Sequence, residues 1–178
     1  MAVEMIVFLS VIGFVIVQRI VELFIARNNE VWMRSQGAYE VGASHYPFMV
    51  AIHIGFFISL IFEFVILDRS LSANFLLFLV IFLGLQMMRV WVISSLGRFW
   101  NTKIIVLPGA HVVNKGPFRL LKHPNYVVVS CEIFIIPLMF GAYFTALVFT
   151  LLNLIILSIR IPIEEAALRE VTDYTKVF

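Results

Sequence analysis

From Tyr126 to Ile161 the chain reads YVVVSCEIFIIPLMFGAYFTALVFTLLNLIILSIRI, about 36 residues in which Glu132 and Arg160 are the only charges. A helix needs about 20 apolar residues to cross the hydrocarbon core of a bilayer, so this run is too long for one ordinary span and just enough for two short ones. Gly141, Ala142 and Tyr143 mark the turn between them. The reading is a tight helical hairpin, one span over 124–141 and the next over 143–161.

Working outward, three further stretches are long and apolar enough to span, at 3–25, 47–67 and 72–96. The expected fold is therefore all-α and membrane-embedded, with five helices in a single domain over 1–178. The 178 residues are 62% hydrophobic and 13% charged. Soluble domains carry roughly 25% charged residues, so this composition excludes an ordinary water-soluble fold. The segment from Ala2 through Ile25 lacks a basic leader and a small-residue cleavage site, and reads as a retained span.

Lysine and arginine fall on alternate connections, as the positive-inside rule requires of an odd number of spans. Arg27 and Arg34 follow the first span; Arg98, Lys103, Lys115, Arg119 and Lys122 follow the third; Arg160, Arg169 and Lys176 occupy the tail, with Arg69 alone on the opposite side. This predicts an outside N-terminus and a cytoplasmic C-terminus. A net charge of +2, dispersed between apolar spans, argues against nucleic acid as a partner. One cysteine, Cys131, excludes an intrachain disulfide and any metal site built from paired thiolates, and no metal is expected.

The connection 97–125 is long for so small a chain, and it is where function is sought. Lys103 to Leu107 reads as a short strand, Pro108-Gly109 as the centre of a type II turn, and Val112-Val113 as a return strand, giving a small cytoplasmic hairpin. His123-Pro124 reads as a helix start, with proline in the first turn, where a missing N–H costs nothing. Pro162 is expected to end or kink the fifth span and to open a short C-terminal helix. Glu164 and Glu165 would lie in its first turn, where the helix dipole alone, or an i,i+4 pair from Arg160 to Glu164, could account for them.

Because the fourth and fifth spans are antiparallel neighbours, His123, Tyr126, Arg160, Glu164 and Glu165 are expected to share one pocket at the cytoplasmic boundary. Carboxylates can hold an ammonium, a cationic side chain can hold a carboxylate, and aromatic faces can hold an adenine or an onium cation. That inventory suits S-adenosylmethionine.

The run Gly116-Pro-Phe118-Arg-Leu-Leu-Lys122-His123-Pro-Asn125-Tyr126, followed by Arg160-Ile-Pro-Ile-Glu164-Glu165-Ala-Ala-Leu168, resembles the isoprenylcysteine carboxyl methyltransferase family. Leu96-Gly-Arg-Phe-Trp100 fits the same pattern, and the resemblance covers roughly residues 85 to 170. It implies that His123 and Tyr126, with Phe118, contact the adenosyl part of the cofactor and that Glu164 and Glu165 hold its amino-acid end. It implies a catalytic role for Arg160, facing either the cofactor carboxylate or the acceptor. Lys122 stands where the family usually carries arginine; it keeps the charge and loses the bidentate fork.

Other polar residues weigh differently. Arg89, one turn from Gln86 in the third span, divides evenly between contact with a substrate anion and structural anchoring. Trp100 is either an interfacial anchor or part of the substrate pocket. Glu132 either pairs with Arg89, is protonated, or acts in catalysis. Glu63 and the Arg19/Glu22 pair read as structural, and His45, His53 and His111 lack ligand spacing.

The resulting expectation is an S-adenosylmethionine-dependent O-methyltransferase in a bacterial cell membrane, with its site facing the cytoplasm and its acceptor drawn from membrane lipid. Resemblance to the small bacterial branch of the family points to a long-chain polyketide such as an alkylpyrone, and so to a polyketide synthase as partner. The alternatives are a prenylcysteine carboxylate acceptor, an NADPH-dependent sterol-type membrane reductase, and a non-enzymatic membrane scaffold.

Overall fold

A computed structural model describes residues 2–178. The elements follow in the order α1 (Ala2–Ser35), β1 (Tyr39–Val41), α2 (Tyr46–Ile61), α3 (Phe75–Leu96), β2 (Ile104–Val106), α4 (Pro124–Met139), α5 (Tyr143–Val171) and α6 (Tyr174–Val177). Single 3₁₀ turns precede α2 and α4 and follow α3, and α2 widens into a π-helical turn over Phe62–Ile66.

Four of these helical stretches, Ala2–Ser35, Ala43–Ile66, Phe75–Phe99 and Tyr143–Val171, have the length and apolar composition to cross a membrane, with mean hydropathy of 2.2 to 2.3 in their best windows. Their outward faces bear this out: Leu9, Phe14, Phe24, Leu76, Val80 and Leu147 all stand exposed, as suits side chains solvated by lipid. The chain is an integral membrane protein. The 16-residue α4 is equally apolar but shorter, roughly 24 Å against a core of about 30 Å.

The expected hairpin forms where the sequence placed it. Phe140, Gly141 and Ala142 turn between α4 and α5, with Gly141 at φ 62°. Glu63 then closes the start of α5: its carboxylate accepts hydrogen bonds from the Phe144 and Thr145 amides at 3.2 and 2.8 Å and from the Thr145 hydroxyl at 2.8 Å. This carboxylate is structural, satisfying helix-end donors that lipid could not. Beside it, Phe8 stacks on Phe64 at 4.1 Å between ring centroids, and Phe140 meets both edge-on, locking α1, the end of α2 and the hairpin together.

Two expectations fail. β2 does not fold back on Val112-Val113; it pairs antiparallel with β1, Tyr39 opposite Val106 and Val41 opposite Ile104. The Pro108-Gly109 turn does form, with Gly109 at φ 75° and the Ala110 amide on the Leu107 carbonyl, but the chain beyond it runs to α6 instead. The reason is burial: Ile104 and Val106 pack on Ala167, Ile163 and Leu168 of α5, a greasy seat that a free hairpin would lack. Pro162, likewise, does not end the fifth helix. α5 continues through it to Val171, because that same packing holds the helix beyond the proline in place.

α1 also overruns its expected span. Its final turns reach the 97–103 segment, where Asn29 donates to the Trp100 carbonyl at 2.8 Å and Glu30 accepts from Lys103 at 3.2 Å. The loop that carries Trp100 is thereby fixed against α1.

Candidate functional site

α4 begins at Pro124, so His123 stands at its N-terminal boundary with Tyr126 one turn on, and their rings stack at 5.4 Å between centroids. The end of α5 lies opposite. Arg160, 3% exposed, donates from Nε to the Tyr126 hydroxyl at 2.8 Å and from Nη2 to the Thr102 carbonyl at 2.8 Å. The Tyr126 hydroxyl in turn donates to Glu164 in a short hydrogen bond. Glu165 accepts from His123 Nε2 at 3.1 Å and from Arg169 at 2.6 Å. The residues drawn from two distant stretches therefore form one bonded cluster.

No ion pair joins Arg160 to Glu164 among the described residues, so the expected i,i+4 pairing is absent. The helix-dipole explanation lapses as well, because Glu164 and Glu165 lie in the interior of α5 and not in a first turn. Glu164 is oriented by Tyr126 of α4, and Glu165 by His123 and by Arg169 of its own helix.

The cluster opens into a cavity of about 500 Å³, within the roughly 300–1,000 Å³ usual for small-molecule sites. His123, Tyr126, Arg160, Glu164, Phe118 and Trp100 all line it. Glu165 does not, and meets the cavity lining through His123. Phe118 is delivered by the Gly116–Arg119 turn, which lies hard against α3. Gly116 is at φ 56°, and a Cβ there would come 2.3 Å from Ser95 Oγ. Sequence reasoning overlooked Thr102, which reaches the site because β2 is pinned to α5, and Tyr46, whose hydroxyl lies 3.3 Å from Thr102 Oγ1.

Three unpartnered atoms mark this as a place built for a polar ligand. Trp100 Nε1, Asn101 Oδ1 and Asn125 Oδ1 belong to residues lining the cavity, and each is a buried polar atom with no hydrogen-bond partner in the chain. Such atoms are costly unless something else satisfies them. They offer one donor and two acceptors beside aromatic faces, a carboxylate and a guanidinium, which fits an adenosyl group carrying an amino-acid end.

Deeper in the bundle, Arg89 also lines the cavity but its charge is committed. It is 1% exposed and donates from Nε to Glu132 at 3.0 Å, makes a second, shorter contact with the same carboxylate, and reaches Glu22 at 3.3 Å. Arg19 bonds the same two carboxylates, and Gln86 donates to Glu132 at 2.9 Å. Two arginines and two glutamates thus neutralise one another inside the bundle, as buried charges must. His45 and His111 stand apart from the cavity's polar cluster, His45 buried near the start of α2 and His111 exposed and bonded to Asp173.

A polar cluster opening into a partly apolar cavity gives this integral membrane bundle the make-up of a small-molecule site. Residues 76–170 match the isoprenylcysteine carboxyl methyltransferase (ICMT) family. The chain belongs to that family of membrane methyltransferases, whose members in general use S-adenosylmethionine. It is 45% identical to the Bacillus subtilis (strain 168) protein named "Uncharacterized protein YpbQ", an alignment covering 92% of this chain and 97% of the relative. It is 28% identical to an "Uncharacterized protein" of Haemophilus influenzae over 84% of this chain and 88% of that one. No solved structure matches.

Proposed function

We propose that the protein is an S-adenosylmethionine-dependent O-methyltransferase acting on a lipophilic membrane substrate, an acidic enol or phenol of a long-chain polyketide such as an alkylpyrone. The observation that carries this reading is the convergence of His123, Tyr126, Arg160 and Glu164 on one cavity whose remaining wall includes Leu23, Val50, Ile54 and Phe57. A polar pocket for a sulfonium donor and an apolar berth for a hydrocarbon tail thus share a single space.

When bound, the cofactor supplies a methyl group on a positively charged sulfur. Glu164, bridged through Tyr126 to Arg160, is suited to hold the cofactor's ammonium, and Arg160 to hold its carboxylate. The stacked His123 and Tyr126 rings, with Phe118 and Trp100, offer faces for the adenosyl group. Loss of the methyl group neutralises the sulfonium, so walls that exclude water favour the transition state. Trp100 lines the space beside these groups and is suited to orient the acceptor against the methyl group.

The topology that goes with this reading has α4 as a fifth, short span, the N-terminus outside and the polar cluster at the cytoplasmic face of a bacterial membrane. The distribution of lysine and arginine supports it. A polyketide synthase in the same cell would supply the acceptor. A prenylcysteine carboxylate is the second reading, supported by the family's name alone. A reductase using NADPH would want a basic site for the extra phosphate; Lys122 lines the cavity, but Glu164 lines it as well and Lys103 is taken up by Glu30 and Glu40. Labelled S-adenosylmethionine should bind the detergent-purified protein and NADPH should not. Binding of NADPH alone would overturn the proposal, and binding of neither would favour a scaffold.

A further inference from the structure

His53 faces the cavity from α2, about two helical turns beyond Tyr46. Its Nδ1 lies 2.8 Å from the Met49 carbonyl oxygen. A carbonyl only accepts, so Nδ1 carries the proton and Nε2 is left as a lone pair. Among the described residues nothing donates to that nitrogen. A neutral imidazole with a free lone pair, turned into a cavity, is an acceptor that wants a hydroxyl.

The charges around it point the same way. α1 presents Arg19 and Glu22, α3 presents Arg89, and α4 presents Glu132, all bound to one another as described above. From α5, Asn153 brings no charge and donates its amide to Ser130 Oγ at 2.8 Å. Among the described residues, the inner end of the cavity therefore holds no free cation.

Beside His53 the wall is apolar, with Leu23 of α1 and Met49, Val50, Ile54 and Phe57 of α2. α1 and α2 close on each other through Phe8 and Phe64 at the far end, and the cavity parts them here. A tail seated between them places its polar head next to the imidazole. A lipid reaching this place out of hydrocarbon comes protonated, because low dielectric disfavours the charged form of an acid.

Resting on the methyltransferase reading, we infer that the acceptor enters as a neutral hydroxyl lipid, a phenol or enol, and that His53 Nε2 takes its proton. As the oxygen gains the methyl group, an O–C bond forms and the C–S bond breaks with its electron pair left on sulfur. The O–H bond breaks with its proton passing to Nε2, and the imidazolium then releases that proton to water.

Equilibrium binding in the absence of methyl donor tests this with two probes of equal chain length, a long-chain alkylphenol and its methyl ether, on the full-length protein in detergent at neutral pH. The alkylphenol should bind the wild type about tenfold more tightly than the ether, the worth of one good hydrogen bond. His53→Phe should abolish that preference. His53→Gln, which can still accept through its amide oxygen, should retain most of it while losing methyl transfer. Ether binding as tightly as alkylphenol, or an unchanged preference in His53→Phe, overturns the inference. Binding of S-adenosylmethionine is measured in parallel on each variant. Its retention shows that the variant is folded, and its absence in the wild type defeats the methyltransferase reading itself.

Discussion

Arg89 and Glu132 meet between α3 and α4, Nε 3.0 Å from Oε1 with a second contact from Nη2 to Oε2, each side chain almost wholly enclosed. Paired buried charges give little net stability, but removing one partner strands the other, at about 3–5 kcal/mol. Arg89→Met should therefore lower the melting temperature in detergent markedly, and Arg89→Lys should recover only part, because lysine cannot span Glu132 and Glu22 together. The double variant Arg89→Met/Glu132→Met should melt higher than the sum of the single changes predicts. Additive losses would mean that the two residues act separately.

Tyr126 joins the halves of the polar cluster through one hydroxyl, accepting from Arg160 and donating to Glu164. Tyr126→Phe keeps the ring that stacks on His123 and removes only that bridge. Affinity for S-adenosylmethionine should fall about tenfold, as suits hydrogen bonds to charged groups, with thermal stability little changed. Titration of purified variant with cofactor decides this; unchanged affinity would show that Arg160 and Glu164 hold their places unaided.

His123 and Glu165 separate direct contact from support. His123→Ala should weaken cofactor binding strongly, and α4 should persist because Pro124 remains to start it. Glu165→Ala removes the acceptor behind the imidazole together with the partner of Arg169, so its effect should be smaller and of the same kind, and Glu165→Gln should restore most of it. If His123→Ala alters expression and not affinity, the residue serves only to begin the helix.

The helices were legible because lipid imposes a single demand on every residue of a span, and the turn at Gly141 followed from counting them. The meeting of His123 with Glu165 was legible for the same reason, since short antiparallel spans must bring their ends together. The partner of β2 was not. A three-residue strand carries no periodicity strong enough to name its neighbour, and Tyr39–Val41 looked like any polar connection. The course of α5 through Pro162 was hidden too, because the packing that overrides the proline is contributed by Ile104 and Val106, far away in sequence. His53 offered no spacing to notice; its significance lies in which nitrogen the Met49 carbonyl occupies.

The mouth of the cavity provides the last test. Leu107, Ala110, His111 and Val112 line it, and Asp173 pins this segment by accepting from the Val112 amide and His111 Nδ1, each at 2.7 Å. The Val112 amide first, and then the His111 ring, hold the Asp173 carboxyl below its ordinary range. A carboxyl with a depressed folded value contributes stability that is complete above the unfolded value, about 3.9, and is lost as pH falls through the lower folded one. The clasp should thus be intact at neutral pH and loosen only in acid below about pH 4. Protection of the Val112 amide from hydrogen exchange should fall in that window in the wild type. In Asp173→Asn it should already be reduced at neutral pH and show no such dependence. Equal protection in both proteins across the range would mean that the segment is held by the Gly109 amide on the Val171 carbonyl, at 2.8 Å, and not by Asp173.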